Sequence, residues 1–498
     1  MAKSSSAFDL TLPPRDRSVP AYRWLCAALK AEILKGRLRP GTRLPSTRNL
    51  AAEYGLARGT IVNAFEQLQS EGYIAGSIGS GTRVSPVLPE NLSRLVSGEA
   101  TKPAKRSKRR TPGSAYGRRV QLFPNFENSP VRAFRCNLPA LDLFPVTTWA
   151  KITARRWREV TARLLMGCEA LGYLPLREAL ADYLVRFRGV QCNPEQVVIV
   201  SGTQEALDLA ARLLLDPGDS ACMESPGYLG ATLVLRALGA RIIAAGVDGE
   251  GIDVQSLARR GVRLVYVTPA HQFPLGTTMS MARRLQLLAW AGKANAIVFE
   301  DDYDSEFRYS GQPIPALQGL DRGDRVIYAG SFSKVLFPSL RLGYMIVPEF
   351  LLGRVAAAKS LTSRHAPVME QSVLNDFIRE GHFARHLRRM RKIYSERLAV
   401  LLEESRLRLA GLLEVSNVQA GLQTTASLCN GMSGRAASQA AAKRGISVTP
   451  VSDYGPEASA RNMIQLGFAA MNPAEIRRGI RELEVALRKP TAQLAARR

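Results

Sequence analysis

The apolar residues keep one rhythm up to about residue 84 and another after about residue 131. From Pro20 to Lys35, Tyr22, Leu25, Cys26, Leu29, Ile33 and Leu34 recur at helical spacing and predict an amphipathic helix. After the turn Gly36-Arg-Leu-Arg-Pro-Gly41, Ser46 can cap a second helix whose inner face is Leu50, Ala51 and Tyr54. A short turn at Gly55 leads to a third helix from Arg58 to Gly72, with Ile61, Ala64, Phe65 and Leu68 facing inward. Tyr73 to Val84 predicts a hairpin. Val87 to Pro130 keeps no period. Beyond it, unbroken apolar runs such as Gln196-Val-Val-Ile-Val200, Arg263-Leu-Val-Tyr-Val267, Ala296-Ile-Val-Phe299 and Arg325-Val-Ile-Tyr328 alternate with helical stretches. Runs without polar alternation suit a parallel sheet covered on both faces. The expectation is an α/β chain divided as 19–86, a linker 87–130, and a large domain 131–490 with a small C-terminal subdomain.

Composition sharpens this picture in three ways. The six cysteines (26, 136, 168, 192, 222 and 429) are scattered and form no CxxC pair, which argues against a disulfide framework or a zinc site. No run is long and apolar enough for a membrane helix, and Met1-Ala-Lys-Ser-Ser-Ser lacks the apolar core of a signal peptide, so a cytoplasmic protein is expected. The net charge of +25 calls for a polyanionic partner, nucleic acid first. Part of it sits in Lys102 to Arg119, which carries eight basic residues and no acid and should stay extended.

Two helices joined by a short glycine turn make a helix-turn-helix. Arg58, Thr60 and Asn63 face outward near the start of its last helix, where such side chains suit base edges and phosphates of double-stranded DNA.

The chemistry of the large domain centres on Tyr328-Ala-Gly-Ser-Phe-Ser-Lys-Val-Leu-Phe-Pro-Ser-Leu-Arg-Leu-Gly-Tyr344. A strand breaks at Gly330 and offers Ser331, Ser333, Lys334 and then Arg341. Hydroxyls and a guanidinium can hold a phosphate, and a lysine amine of lowered pKa can form an imine with a carbonyl. That combination describes pyridoxal 5'-phosphate (PLP). Other clusters fall at strand ends, where ligands bind in open α/β sheets. They are Ser201-Gly-Thr-Gln-Glu, Tyr228 after a turn, Thr268-Pro-Ala-His-Gln-Phe-Pro, and Glu300-Asp-Asp-Tyr-Asp-Ser-Glu.

Residues 19–86 resemble the GntR family of winged helix-turn-helix domains through Pro40-Gly-Thr-Arg-Leu-Pro-Ser-Thr-Arg48, Arg58-x-Thr60, Leu68-x-x-Glu-Gly-Tyr73 and Gly79-Ser-Gly-Thr-x-Val84. The resemblance implies DNA contacts by Arg43, Ser46, Arg48, Arg58, Thr60 and Asn63.

Residues 131–490 resemble fold-type I (class I/II) aminotransferases, and the whole chain resembles MocR/GabR-type regulators. The marks are Glu300 to Tyr309, His271-Gln-Phe-Pro274, Gly330 to Tyr344, and His386-Leu-Arg-Arg-Met-Arg-x-x-Tyr394. This resemblance implies Lys334 as the Schiff-base lysine and Asp301 at the pyridine nitrogen, with Asp302 as the alternative. It implies Tyr303 on the phenolic oxygen and Tyr228 stacked on the ring. Ser331, Ser333, Arg341 and the turn Gly202-Thr203-Gln204 would hold the phosphate. It also implies a domain-swapped homodimer that senses an amine or PLP itself.

The chain departs from the enzymes at Gln465, which stands where they carry the arginine that clamps a substrate carboxylate. Glutamine supplies no charge. Arg461, four residues earlier on what reads as the same strand, is too far away to replace it. Little or no transaminase turnover is therefore expected. A working aminotransferase with an added DNA head is the alternative, and a repressor whose body only dimerises is a third reading.

Overall fold

The computed structural model describes residues 12–15, 18–77, 81–88, 113–123, 132–257, 261–311, 314–455 and 458–488. The chain forms two compact units, 1–112 and 113–498. The tip of the expected wing at residues 78–80 and most of the basic linker lie outside the described residues.

In the first unit, α1 (Ala21–Leu34), α2 (Thr47–Tyr54) and α3 (Arg58–Ser70) precede a hairpin of β1 (Ile74–Ser77) and β2 (Gly81–Val84). Leu25, Leu29, Leu50, Ile61, Phe65 and Leu68 form its core, all from the periodic positions. The Ser46 hydroxyl accepts the Asn49 amide at 3.2 Å and starts α2. Gly55, at φ 63°, ends it in the left-handed region. Lys30 lies 4.4 Å from the centre of the Tyr73 ring and 3.0 Å from a Glu71 oxygen, tying α1 to the hairpin.

The second unit is built on an eight-stranded sheet. Its strands are β3 (Val197–Val200), β4 (Ser220–Ser225), β5 (Arg241–Asp248), β6 (Gly251–Ile252), β7 (Val262–Val267), β8 (Ile297–Asp302), β9 (Val326–Ser331) and β10 (Gly343–Ile346). Their order is β3-β10-β9-β8-β7-β4-β5-β6. The central strands are parallel, while β10 runs antiparallel to both neighbours. Every residue of β3, β4 and β8 is buried, as unbroken apolar runs require when both faces are covered. A second sheet, β11 (Leu413–Val415), β12 (Gln423–Leu428), β13 (Thr449–Pro450) and β14 (Met463–Gly467), is antiparallel in the order β11-β12-β14-β13.

Residues 113–123 depart from the expectation of a uniformly extended linker. Ser114 caps a short helix, α4 (Ala115–Arg119), by accepting the Gly117 amide at 2.9 Å. Tyr116 lies under the Arg212 guanidinium and bonds it at 3.1 Å, and Arg119 donates to the Ala237 carbonyl at 3.0 Å. Charge keeps a segment extended only while its cations find nothing to bond, and here Arg119 finds a helix end.

Candidate functional site

β9 ends at Ser331, and one helical turn, Phe332–Val335, presents Lys334. Phe332 and Val335 are buried and anchor that turn. The Lys334 amine donates to the Asn137 carbonyl at 2.8 Å. Burial brings its pKa down to about 8, against the pull of Asp304 and Asp301. A substantial neutral fraction therefore exists near pH 8, and the neutral amine is the nucleophile. Asn137 is held in place by its own amide, which donates to Gln423 at 2.9 Å.

β8 ends in consecutive carboxylates whose side chains alternate faces. Asp301 accepts the Tyr266 hydroxyl at 2.6 Å through Oδ2. Its Oδ1 is buried and has no partner at ordinary hydrogen-bond distance among the described residues, with the Thr203 hydroxyl the other donor acting on the carboxyl. Burial pushes this carboxyl up to about 7, opposed by the bond from Tyr266. Asp302 is buried on the other side. Its Oδ2 accepts Arg188 at 3.0 and 2.7 Å and Tyr328 at 2.5 Å, while its Oδ1, like that of Asp301, finds no partner among the described residues. With a cation already bound to Asp302, a cationic ring nitrogen is better matched by Asp301. Beyond the strand, the Tyr303 hydroxyl lies 3.1 Å from His271 Nδ1, and the same nitrogen lies 2.9 Å from Asp304.

The turn after β3 opens the helix Thr203–Leu214 at Gly202, with φ 147°. A side chain at Gly343 would come within 2.9 Å of the Gly202 Cα and 2.8 Å of the Gly330 carbonyl, so these glycines let three backbones converge. A helix start with unpaired amides is suited to an anion. Arg341 is exposed, holds φ 51°, and brings Nη2 within 4.0 Å of where a Gly202 Cβ would stand. A non-glycine residue held there costs roughly 1–3 kcal/mol, a cost concentrated at functional positions. Ser331 and Ser333 are half-buried, and the Ser331 hydroxyl accepts the Ser333 amide at 3.2 Å. The Gln204 side chain turns away and donates to the Gly230 carbonyl at 2.9 Å, which leaves only its backbone for an anion.

Tyr228 forms one wall. Its ring lies 6.4 Å from Tyr266, 5.8 Å from Phe273 and 6.2 Å from Phe123. The charges acting on it are Asp301 and Arg341, one from each end of the crevice. Phe273 also meets Tyr303 at 6.0 Å and Tyr454 at 4.9 Å. Sequence reasoning assigned no role to Asn137, Phe273, Asp304, Gln423 or Tyr454. Of these only Phe273 and Asp304 lie within the motifs His271–Pro274 and Glu300–Tyr309.

Gln465 lies fully buried in β14. Its Oε1 accepts the Tyr454 hydroxyl at 3.3 Å, and its Nε2 finds no partner among the described residues. Arg461 is not on that strand: it sits exposed in the short turn Ala458–Asn462 that precedes it. A different arginine, Arg135, acts electrostatically on Lys334. Its carbonyl packs directly on Gly467 of β14, so closely that a Cβ there would collide with it.

The six head residues singled out for DNA lie on the surface of the first unit. Arg43, Ser46, Arg48, Arg58 and Asn63 are exposed and Thr60 is half-buried. Arg43 pairs with Arg83 of β2, and its guanidinium lies 2.9 Å from where a Gly81 Cβ would stand.

Residues 145–483 match the family described as Aminotransferase class I and II, and residues 21–84 match Bacterial regulatory proteins, gntR family. The chain is 39% identical over 474 residues to the "Probable rhizopine catabolism regulatory protein MocR" of Rhizobium meliloti, covering 95% of this chain and 94% of that protein. It is 29% identical over 477 residues to the HTH-type pyridoxine biosynthesis transcriptional regulator PdxR of Corynebacterium glutamicum, covering 95% and 97%. Among solved structures, the α-aminoadipate aminotransferase LysN of Thermus thermophilus, complexed with N-(5'-phosphopyridoxyl)-L-leucine, superimposes with a TM-score of 0.66 at 29% identity. The match covers 73% of this chain and 93% of that one.

Proposed function

Because the chain belongs to the class I and II aminotransferase family and joins that body to a gntR-family head as the MocR-type regulators do, we propose that it senses PLP, or an amine presented to PLP, through Lys334 and reads promoter DNA with its head. The observation that carries this is the pairing in one crevice of Lys334, its amine lowered by burial, with Asp301, a buried carboxyl that acts on that amine and that Tyr266 holds through Oδ2. A ring nitrogen that carries a proton and positive charge is the group that would complete it.

PLP when bound supplies an electron-withdrawing ring and an aldehyde. Asp301, held by Tyr266, would keep the ring nitrogen protonated. Tyr303 would donate to the ring oxygen, and Tyr228 would cover one face. Ser331, Ser333, Arg341 and the amides of Gly202, Thr203 and Gln204 would hold the phosphate. Gln465 and Tyr454 offer hydrogen bonds and no charge at the far wall, which suits an amine ligand without a carboxylate. The relatives named for rhizopine catabolism and pyridoxine biosynthesis make an amine and PLP itself the two effector classes to test. The same reading makes the chain a cytoplasmic, domain-swapped homodimer with a head at 19–86, a linker that ends at 112 in place of the expected 130, and a body from 113 to 490.

One observation favours a working aminotransferase as a second reading. Arg135, beside β14 and within electrostatic reach of Lys334, could hold a substrate carboxylate. Conversion of the cofactor's visible band by α-amino acids, lost in Arg135→Ala, would select it.

For the head, Arg58→Ala is expected to weaken operator binding by about 1–3 kcal/mol and to reduce the salt slope by about one. Unchanged affinity across several salt concentrations would remove Arg58 from the interface.

Coupling between site and head runs through residues 113–123, the stretch of body leading back towards the linker. Phe123 packs on Tyr228, so a ligand that fixes Tyr228 favours the docked form of this segment. Phe123→Ala is expected to retain the cofactor band and DNA binding, while the ratio of DNA affinities with and without cofactor falls to near one. A ratio equal to that of the wild type would contradict this route.

A further inference from the structure

We propose that His271 and Asp304 are positioning residues for Tyr303, holding its hydroxyl so that its proton is presented to the ring oxygen of the bound cofactor. This rests on the reading of the site given above. The Tyr303 oxygen lies 3.1 Å from His271 Nδ1, and Nδ1 lies 2.9 and 3.1 Å from the two oxygens of Asp304. With the hydrogen on Nδ1, the N–H is shared between the Asp304 carboxyl and the Tyr303 oxygen. The Tyr303 oxygen can then only accept from that same N–H. It also bonds the Gln423 side chain. The tyrosine's own hydrogen is left for a third direction, into the crevice.

The pair is built to stay fixed. His271 and Asp304 are 3% and 1% exposed. At Gly421, φ 95°, a Cβ would collide with His271 Cε1 and lie 2.7 Å from Asp304 Oδ2, so a loop of the small subdomain closes directly on them. His271 Nε2 is buried and finds no partner among the described residues, so the ring's hydrogen bonds there are all made through Nδ1.

A hydrogen bond donated to the ring oxygen draws electron density from it. With the cofactor bound, that oxygen would hold less firmly a proton shared with the Lys334 nitrogen. Losing that donor raises the pH at which this proton leaves to water. The charged and titratable groups acting on Tyr303 are Asp304, Asp301 and Glu224, and those acting on Lys334 are Asp304, Asp301, Cys136 and Arg135. A neutral substitution at His271 leaves each of these groups in place, and His271→Asn also keeps a donor facing Asp304.

The test follows the visible band of the cofactor-loaded full chain against pH. Tyr303→Phe should raise its midpoint by about one unit, a tenfold change in proton affinity. His271→Asn keeps an amide donor near the Nδ1 position and should stay near the wild type. His271→Gln places its amide near Nε2 instead and should shift upward like Tyr303→Phe, with no further shift in the double variant. A His271→Gln midpoint equal to the wild type, equal shifts for Asn and Gln, or additive shifts in the double variant would each overturn the proposal. Failure of both His271 variants to load cofactor would make the pair merely structural and overturn it too. Absence of any reducible band in the wild type would instead count against the cofactor reading itself.

Discussion

Lys334→Ala is expected to abolish the borohydride-reducible band that the wild type forms with PLP. The amine sits where β9 breaks into a single turn, and burial brings it to about pH 8 while Asp304 and Asp301 hold it from falling further. Alanine leaves the ring and phosphate contacts in place, so weak non-covalent binding and a free-aldehyde spectrum should survive. Lys334→Arg keeps the charge and cannot bond covalently, and it should behave as alanine does. In the wild type the rate of band formation should climb as pH rises to about 8 and level off above it, because only the neutral amine attacks. Identical reduced spectra for wild type and Lys334→Ala would refute the assignment.

Arg188→Leu should destabilise the body by about 3–5 kcal/mol in chemical denaturation, because it leaves a buried carboxylate without its cation. Arg188 and Asp302 are 10% and 1% exposed, and Arg188 donates to Asp302 through both Nε and Nη2. Tyr328 would remain as the other donor to Asp302. Removing both charges should restore much of the loss, since well-packed apolar replacements of buried pairs cost little. Arg188→Leu combined with Asp302→Leu is therefore expected to be more stable than Arg188→Leu alone. Equal stability of wild type and the single variant would show that the pair does not fix the end of β8. The pair matters to the site because β8 alternates: pinning Asp302 to the opposite buried face directs Asp301 into the crevice.

Much of this architecture was legible because it is written in local pattern. Ile61, Phe65 and Leu68 recur at helical spacing and become the core of the head. Val197 to Val200 and Ile297 to Phe299 read as fully buried strands and are so. Lys334 and Arg341 stood out because their residue types after a strand end match one chemistry, and Asp301 through the resemblance to aminotransferases.

What the sequence hid depends on closure over long separations. The Lys334 amine meets the carbonyl of Asn137, and any residue type at position 137 could supply that carbonyl. Asp304 and His271 are 33 residues apart and meet only because β7 and β8 are adjacent. Arg461 looked like the nearest cation to Gln465, but its strand begins at Met463. Arg135 came close to Lys334 from a segment with no periodicity, in which Phe134 and Asn137 hold φ 64° and 66°. Residues 113–123 read as a tether because charge and glycine predict extension. Their docking depends on Ala237 and Tyr228, more than a hundred positions away.

The most direct test is to load the full chain with PLP, reduce it with borohydride, digest it and locate the added mass. A pyridoxyl adduct on the peptide containing Lys334, and on no other lysine peptide, is the expected result. An adduct spread over surface lysines, or none at all, would contradict the central claim that this body holds its cofactor at Lys334.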